Sequence, residues 1–526
     1  MIEALDPRSA PLHPAFVPLA PRPDPATARW IVIRSMAPGS GVGTVADAIA
    51  DELRRRYPRA PVEVMLREQI MSDDPAERAG LVARYDAAVY VAGPAATMVA
   101  VGLQYAGQLE AAGLPVAVVV FDAIAATIPS ALEPVGAPVR TTLIASPPRS
   151  DAATRRGVDA AIAAAVLPVR PEETASPADP APRPRVLAAG DEDELQERFY
   201  REALTDGLPV VLPTEARLAR MLAGTSRAPE ELVTETIRPL GRPLTVETVA
   251  INAVMAGATP ELLPFVLAAA SLMGDRAFES MTRSVNSFSF AQFVSGPLAV
   301  AAGFNGGLGA LSPGRRANAA TGRALGLVVR NGGGAVIGTT STPTIGANSA
   351  WSLVFAEHPD SPWGPRTPAG FDAGTTTLSL YPGGQNHGGS FYYGDLDDVA
   401  AYLNAFEAPA NGAVVMVSLK RARLLAEERG MGRAEVEAHL AARCTTTLGE
   451  VRASGFWHMM RAAIAHPRPG SPSPYPTSYL SDPDETVVLR FAPGSIEVVV
   501  VGDDSSNTMQ VWSLQRHATA AVDDWR

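Results

Sequence analysis

The chain is 526 residues long, 47% hydrophobic, and carries 44 basic against 55 acidic side chains, a net charge of −11. That length exceeds one ordinary domain and points to two or three; the acidic balance argues against non-specific binding to nucleic acid or an anionic membrane. Lys420 is the only lysine and Cys444 the only cysteine, which excludes intrachain disulfides, multi-cysteine metal sites and a Gly-Lys-Ser/Thr phosphate loop, and would leave Schiff-base chemistry to Lys420 alone.

Residues 1–28 are proline-rich and read as an extended arm without the basic-then-apolar pattern of a signal peptide. From 29 to 166 strands are predicted at 30–34, 62–66, 87–92, 115–121 and 140–146. Helices alternate with them at 45–57, 75–84, 96–112, 123–132 and 151–166. Continuous apolar strands separated by helices imply a parallel sheet covered on both faces, and five such units fit a flavodoxin-like doubly wound α/β domain. The proline- and acid-rich run 167–186 reads as a linker. Residues 187–526 read as a larger, glycine-richer mixed α/β region, one domain or two divided near 385. Its predicted helices lie near 193–206, 244–256, 260–273, 316–330, 395–405, 419–429, 433–443 and 449–465, and its strands at 351–357, 413–419, 486–491 and 496–501. The longest apolar stretches, such as 262–273, are too short to cross a bilayer.

The loop "RSMAPGSGVGT" (34–44) joins the first strand to a helix. It is either a plain turn or a ligand loop offering free N–H groups to phosphate or carboxylate, although the third glycine of the dinucleotide pattern falls on Thr44. Farther on, "YDAAVYVAG" and "LEAAGLPVAVVVFD", with the first helix and its terminal tyrosine, give 30–147 a likeness to a known family. This stretch resembles the UGSC-type domain family, bacterial proteins named for a selenocysteine (or cysteine)–Gly–Ser–Cys motif after the third strand. Here that run is "GPAATM", with Ala95 and Met98 where selenocysteine or cysteine would stand. Neither forms a thiolate or selenolate, so the chemistry the resemblance implies does not carry over. The loop is then either a ligand site at the carboxyl end of a central strand or part of a degenerate scaffold. Residues 206–385, with "DGLPVVLPTEARLARML", "GFNGGLGALSPGRRANAATGRALGLVVRN" and "FAEHPDSPWGP", resemble a poorly characterised domain that accompanies UGSC-type domains. That likeness implies no particular reaction and fades beyond 386.

Within 305–334 glycines bracket a helix, and Gly322 and Gly326 leave one of its faces bare for close packing. Arg315, Arg316 and Asn318 crowd the positive end of its dipole, where cations are disfavoured without a compensating anion, and Arg323 lies inside it. With Asn305 they form a candidate site for a carboxylate or phosphate, or else an internal arginine–carboxylate network or an exposed charge. Glu357 and His358 are adjacent after a strand, and His387 lies in the glycine-rich loop "YPGGQNHGGSFYYGD"; these three are candidate acid–base groups. Ser505, Ser506 and Asn507 follow the strand ending "VVVVGDD" and are candidate ligand-binding groups, with a turn cap as the alternative. His458 and His466, two turns apart, are too distant for one metal ion, and Cys444 reads as structural.

The expectation is a cytoplasmic bacterial enzyme acting on a small anionic or polar metabolite, in secondary or sulfur-related metabolism by the resemblance. It would need no cofactor, metal, nucleic acid or membrane; a homo-oligomer and a partner enzyme remain open. The alternatives are a non-catalytic ligand-binding or scaffold subunit, and a nucleotide-dependent enzyme using loop 38–44.

Overall fold

The computed structural model describes residues 1–36, 40–67, 74–148, 152–176, 182–275, 278–284, 289–346, 353–383, 386–387, 395–405, 412–455, 457–465, 473, 475–491, 494–505, 509–514 and 518–526. The chain opens with β1 (Ile2–Leu5), followed by β2 (Trp30–Arg34), α1 (Gly41–Arg56), β3 (Val62–Leu66), α2 (Pro75–Arg84), β4 (Ala87–Val91), α3 (Ala96–Ala111), β5 (Val116–Phe121), α4 (Ile128–Leu132), β6 (Arg140–Ile144) and α5 (Ala152–Val166). Five strands form one parallel sheet in the order β3-β2-β4-β5-β6. Counted within this unit the order is 2-1-3-4-5, the flavodoxin-like winding expected from the alternation. Val32, Val89 and Val119 face α1 and α5, while Ile33, Tyr90 and Val118 face α3. Burial on both faces explains why these strands read as unbroken apolar runs.

The second part begins with β7 (Val186–Gly190), α6 (Glu192–Arg201), α7 (Glu215–Leu222), β8 (Leu232–Ile237), β9 (Arg242–Thr245), α8 (Val246–Met255), α9 (Leu263–Leu272), α10 (Glu279–Arg283), β10 (Ser289–Ser295), α11 (Pro297–Ala301) and α12 (Arg316–Leu327). It continues through β11 (Leu353–Ala356), β12 (Thr377–Gly383), β13 (Asn386–His387), α13 (Leu396–Leu403), β14 (Gly412–Val417), α14 (Leu419–Arg423), α15 (Arg433–Arg443), β15 (Thr445–Thr447), α16 (Leu448–Ala453), α17 (Trp457–Ala465), β16 (Val487–Leu489), β17 (Ile496–Val500), β18 (Met509–Leu514) and β19 (Ala518–Ala521). Two mixed four-stranded sheets dominate, β11-β10-β12-β19 and β13-β18-β14-β17. Phe293, Phe355 and Tyr381 of the first pack against Val414, Met416 and Val499 of the second. The outer face of the first, through Phe290, Val294 and Leu380, is covered by α8, α9 and α12; that of the second, through Val415 and Val498, by α13, α14 and α15. Strand residues therefore alternate between a sheet–sheet interior and a sheet–helix interior, giving four layers, α/β/β/α. β12 and β13, consecutive in the chain, belong to different sheets, and β19 returns to pair with β12.

Residues 1–28 are extended and tie the two parts together. β1 pairs antiparallel with β7, and the arm then crosses to the first domain, where the amide of Ala20 and the Arg22 guanidinium both meet the buried Glu110 carboxylate at 2.8 Å. In the expected linker, Glu173 is buried and held by Arg140 and Arg170. The seam also contains a bidentate Arg242–Glu133 pair and bonds from the Ser130 hydroxyl to the Thr339 carbonyl and from the Ala96 amide to the Thr342 hydroxyl.

Candidate functional site

α12 has Arg315 at its N-cap, with no side-chain hydrogen bond there. Arg315 and Arg316 are exposed, and Arg316 donates Nε to the Gly257 carbonyl at 2.9 Å. Arg323 is bound differently: Nε and Nη2 each meet one oxygen of Asp206 at 2.9 Å, and Nη2 also reaches the Pro209 carbonyl. Burial works against the Asp206 carboxylate, but the Arg323 hydrogen bonds and charge, together with backbone donors, outweigh it and hold its pKa below the ordinary value. The anion opposite Arg323 is thus part of the chain. Asn318 is buried and faces backbone only, accepting from the Asn305 amide and donating to the Asn305 and Val354 carbonyls. Asn305 closes its own turn, accepting from the Gly307 amide. The glycines serve close approach: a Cβ on Gly333 would collide with the Arg238 carbonyl, and Gly334 has φ +76°. The five residues singled out here do not converge on one point: Arg323 fastens α12 to 206–209, Asn318 to Asn305 and Val354, and Arg316 to Gly257.

A second group does converge, at the corner where the edges β11 and β17 of the two sheets meet. The His358 amide donates to the Val500 carbonyl, and the Gly502 amide to the Gly306 carbonyl. A Cβ on Gly306 would stand 2.5 Å from the Ala356 carbonyl oxygen, so only glycine allows this approach. The carboxyl ends of β11, β14 and β17 open here, the usual place for ligand groups in sheets with parallel strands. Glu357 is 7% exposed. Its Oε1 accepts from Arg433 Nη2 and from the Val500 amide, each at 3.0 Å, while Oε2 is buried without a partner among the described residues. Burial pushes its pKa up to about 7, against the pull of Arg433. Arg433 Nε and Ser361 Oγ, from the same corner, are also buried and unpartnered.

Beside Glu357, the His358 ring is half-buried and accepts the Asp360 amide at Nδ1, 3.1 Å. Desolvation lowers its pKa despite Asp360, Asp503 and Asp504 nearby. A neutral imidazole accepting at Nδ1 carries its proton on Nε2. That edge lies by Gly307, whose Cβ, if present, would be 3.6 Å from Nε2. Arg423 Nη1 meets Asp504 at 2.7 Å. The Ser505 hydroxyl donates to Asp503, closing the turn that the sequence offered as an alternative.

Behind Glu357 runs a charged network absent from the sequence reading. Arg366 meets Glu437 at 2.6 Å and Glu497 at 3.2 Å, and the Tyr381 hydroxyl donates to Glu497 across the two sheets at 2.7 Å. Burial and the Glu497 charge raise the Tyr381 pKa well above its ordinary value, so it stays a donor. No motif predicts this cluster, because its residues come from three separate segments, the loop at Arg366, α15 with Arg433 and Glu437 one turn apart, and β17 with Glu497; the clearest sequence signal is Glu497 within an otherwise apolar strand.

His387 does not join the corner. It lies on β13, at the opposite edge of its sheet from β17, three strand spacings or roughly 14 Å away, and its side chain is outside the described residues. Ser506, Asn507 and His466 are also outside them. Cys444 is buried, and desolvation pushes its thiol up to about 11, consistent with the structural reading. Among the described residues no three His, Cys, Asp or Glu side chains gather as a metal site, and no helix is long and apolar enough to cross a membrane. No protein-family model matches the chain, and no curated protein matches its sequence.

Proposed function

We propose that the chain is an enzyme acting on a small polar or anionic metabolite at the β11/β17 corner. The observation that carries this reading is the buried Glu357 carboxyl, whose Oε2 has no partner among the described residues and whose pKa of about 7 lets it take or give a proton near neutrality. Arg433 Nε and Ser361 Oγ supply a cationic and a neutral donor for a ligand oxygen. His358, neutral with its proton on Nε2, serves as a hydrogen-bond donor rather than as a base. In this reading Arg316 is an exposed charge, Arg323 is structural, and the first domain is a scaffold. Support for the scaffold role comes from the "GPAATM" loop: the N-terminus of α3, which has no side-chain cap of its own, receives the Thr342 hydroxyl from the second part. The UGSC-type resemblance favours a reaction in bacterial cytoplasmic metabolism, of the secondary or sulfur-related kind.

The test is a thermal-shift screen of the purified chain against small carboxylates, phosphates and amines. Compounds that stabilise the wild type but neither Glu357→Gln nor Ser361→Ala identify the site and enter turnover assays. Equal stabilisation of wild type and both variants by every binding compound rejects it.

A further inference from the structure

The seam between the two parts is crowded with arginine. Arg8, Arg183, Arg238, Arg242 and Arg283 lie among the carboxylates of Asp6, Glu133, Glu202 and Glu279, and Glu202 is itself held more closely by Arg198, at 2.8 Å. Arg242 takes both oxygens of Glu133, Arg8 takes both oxygens of Asp6, and Arg238 reaches Glu279 at 3.3 Å. Arg183 donates to the Ser9 carbonyl. Arg283 is left over. It is 1% exposed and makes one side-chain hydrogen bond, from Nη2 to the Pro239 carbonyl at 2.9 Å. The Glu279 carboxylate lies 3.9 Å from its Nε, outside hydrogen-bond reach. Nε and Nη1 have no partner among the described residues, so the Nε hydrogen and both Nη1 hydrogens are unmatched. A charged group so deeply buried and so poorly bonded is strongly disfavoured unless something supplies the missing acceptors. A second source of positive field lies alongside. The Thr342 hydroxyl donates to the Arg283 carbonyl and accepts the Ala96 amide, which sets the Arg283 backbone next to the positive end of the 16-residue helix α3.

We propose that the seam holds a small oxyanion, phosphate or carboxylate, with Arg283 as its principal ligand. The anion supplies acceptors for Nε and Nη1 and sets a negative charge against a guanidinium that no carboxylate hydrogen-bonds among the described residues. Because Arg283 lies on α10 and its backbone carbonyl is tied through Thr342 to the start of α3, an anion held there also braces the two parts. This site is independent of the β11/β17 corner.

The test uses the full chain after exhaustive dialysis. Its thermal midpoint is followed against inorganic phosphate and, separately, succinate, with ionic strength held constant by chloride. A saturable rise with either anion, lost in Arg283→Met and kept in Glu357→Gln, is the expected result; phosphate alone or succinate alone identifies the source. Glu279→Gln removes the competing carboxylate and is expected to lower the half-saturating concentration several-fold. It decides the matter if Arg283→Met fails to fold. No saturable response to either anion in the wild type, an undiminished response in Arg283→Met, or an unchanged or weaker one in Glu279→Gln overturns the proposal.

Discussion

Glu357→Gln separates a proton-exchanging carboxyl from a permanently ionised salt bridge. Glutamine mimics the protonated acid: its oxygen still accepts from Arg433 and Val500, and it has no proton to lose. Burial raises the Glu357 pKa from 4.5 to about 7. The folded chain therefore keeps a proton that the unfolded chain releases, and stability from this residue is complete below pH 4.5 and is lost as pH rises through 7. That gap corresponds to about 3 kcal/mol. The difference in stability, wild type minus Glu357→Gln, should fall by about this amount between pH 4.5 and 8, since other titrating groups cancel in the comparison. The single cysteine provides a local assay. Cys444 caps α15, which carries Arg433, and is buried in the core that includes Val498 and Val500. Its alkylation rate reports opening of this region, and the ratio of rates for the two proteins removes the pH dependence of the thiol itself. A difference that stays flat with pH, or one that moves in favour of the wild type, would show that Arg433 keeps Glu357 ionised and would refute the proton-exchange role.

Two further outcomes distinguish structural from exposed arginines and test the glycines. Arg323→Ala should cost about 1–2 kcal/mol, discounted for partial exposure, because it strands Asp206 and releases two carbonyls; Arg316→Ala should stay within about 0.5 kcal/mol, and urea unfolding of both variants checks the contrast. Gly333→Ala should cost roughly 1–3 kcal/mol, because its Cβ meets backbone carbonyls of Arg238 and Val329 that cannot swing away; a thermal midpoint equal to the wild type's would show that the approach is looser.

The first domain was legible because its physics is local. Strands buried on both faces are written as apolar runs, and α1 and α2 begin at Ser40 and Asp74, whose side chains cap them. The second part conceals its sheets. β10, "SFAQFVS", buries Ser289, Gln292 and Ser295 between layers, so its polarity reads as loop. β12 ends in Pro382 and Gly383, which read as a turn. The stretch 449–465, expected as one helix, separates into α16 and α17 at Ser454, whose extended backbone ends the first helix. The helix expected over 316–330 ends in a π turn at Val328–Gly332, which carries Asn331 to the Leu204 carbonyl.

The same distinction explains which site residues could be recognised. An adjacent acid and histidine after a strand are visible in sequence, and the corner does contain Glu357 and His358. What raises the pKa of Glu357 is not visible: its desolvation comes from β17 packing over the end of β11, and its partner Arg433 arrives from α15, 76 residues later. The paired arginines at the start of α12 show the converse. Their position against the helix dipole suggested an anion, yet exposure allows water to screen that conflict at little cost, so it imposes no need for a ligand. Arg283 differs in being buried, with Nε and Nη1 unpartnered among the described residues. An unfavourable charge therefore indicates a binding site only when burial is known, and burial in this chain is set by contacts between the two parts that no local pattern records.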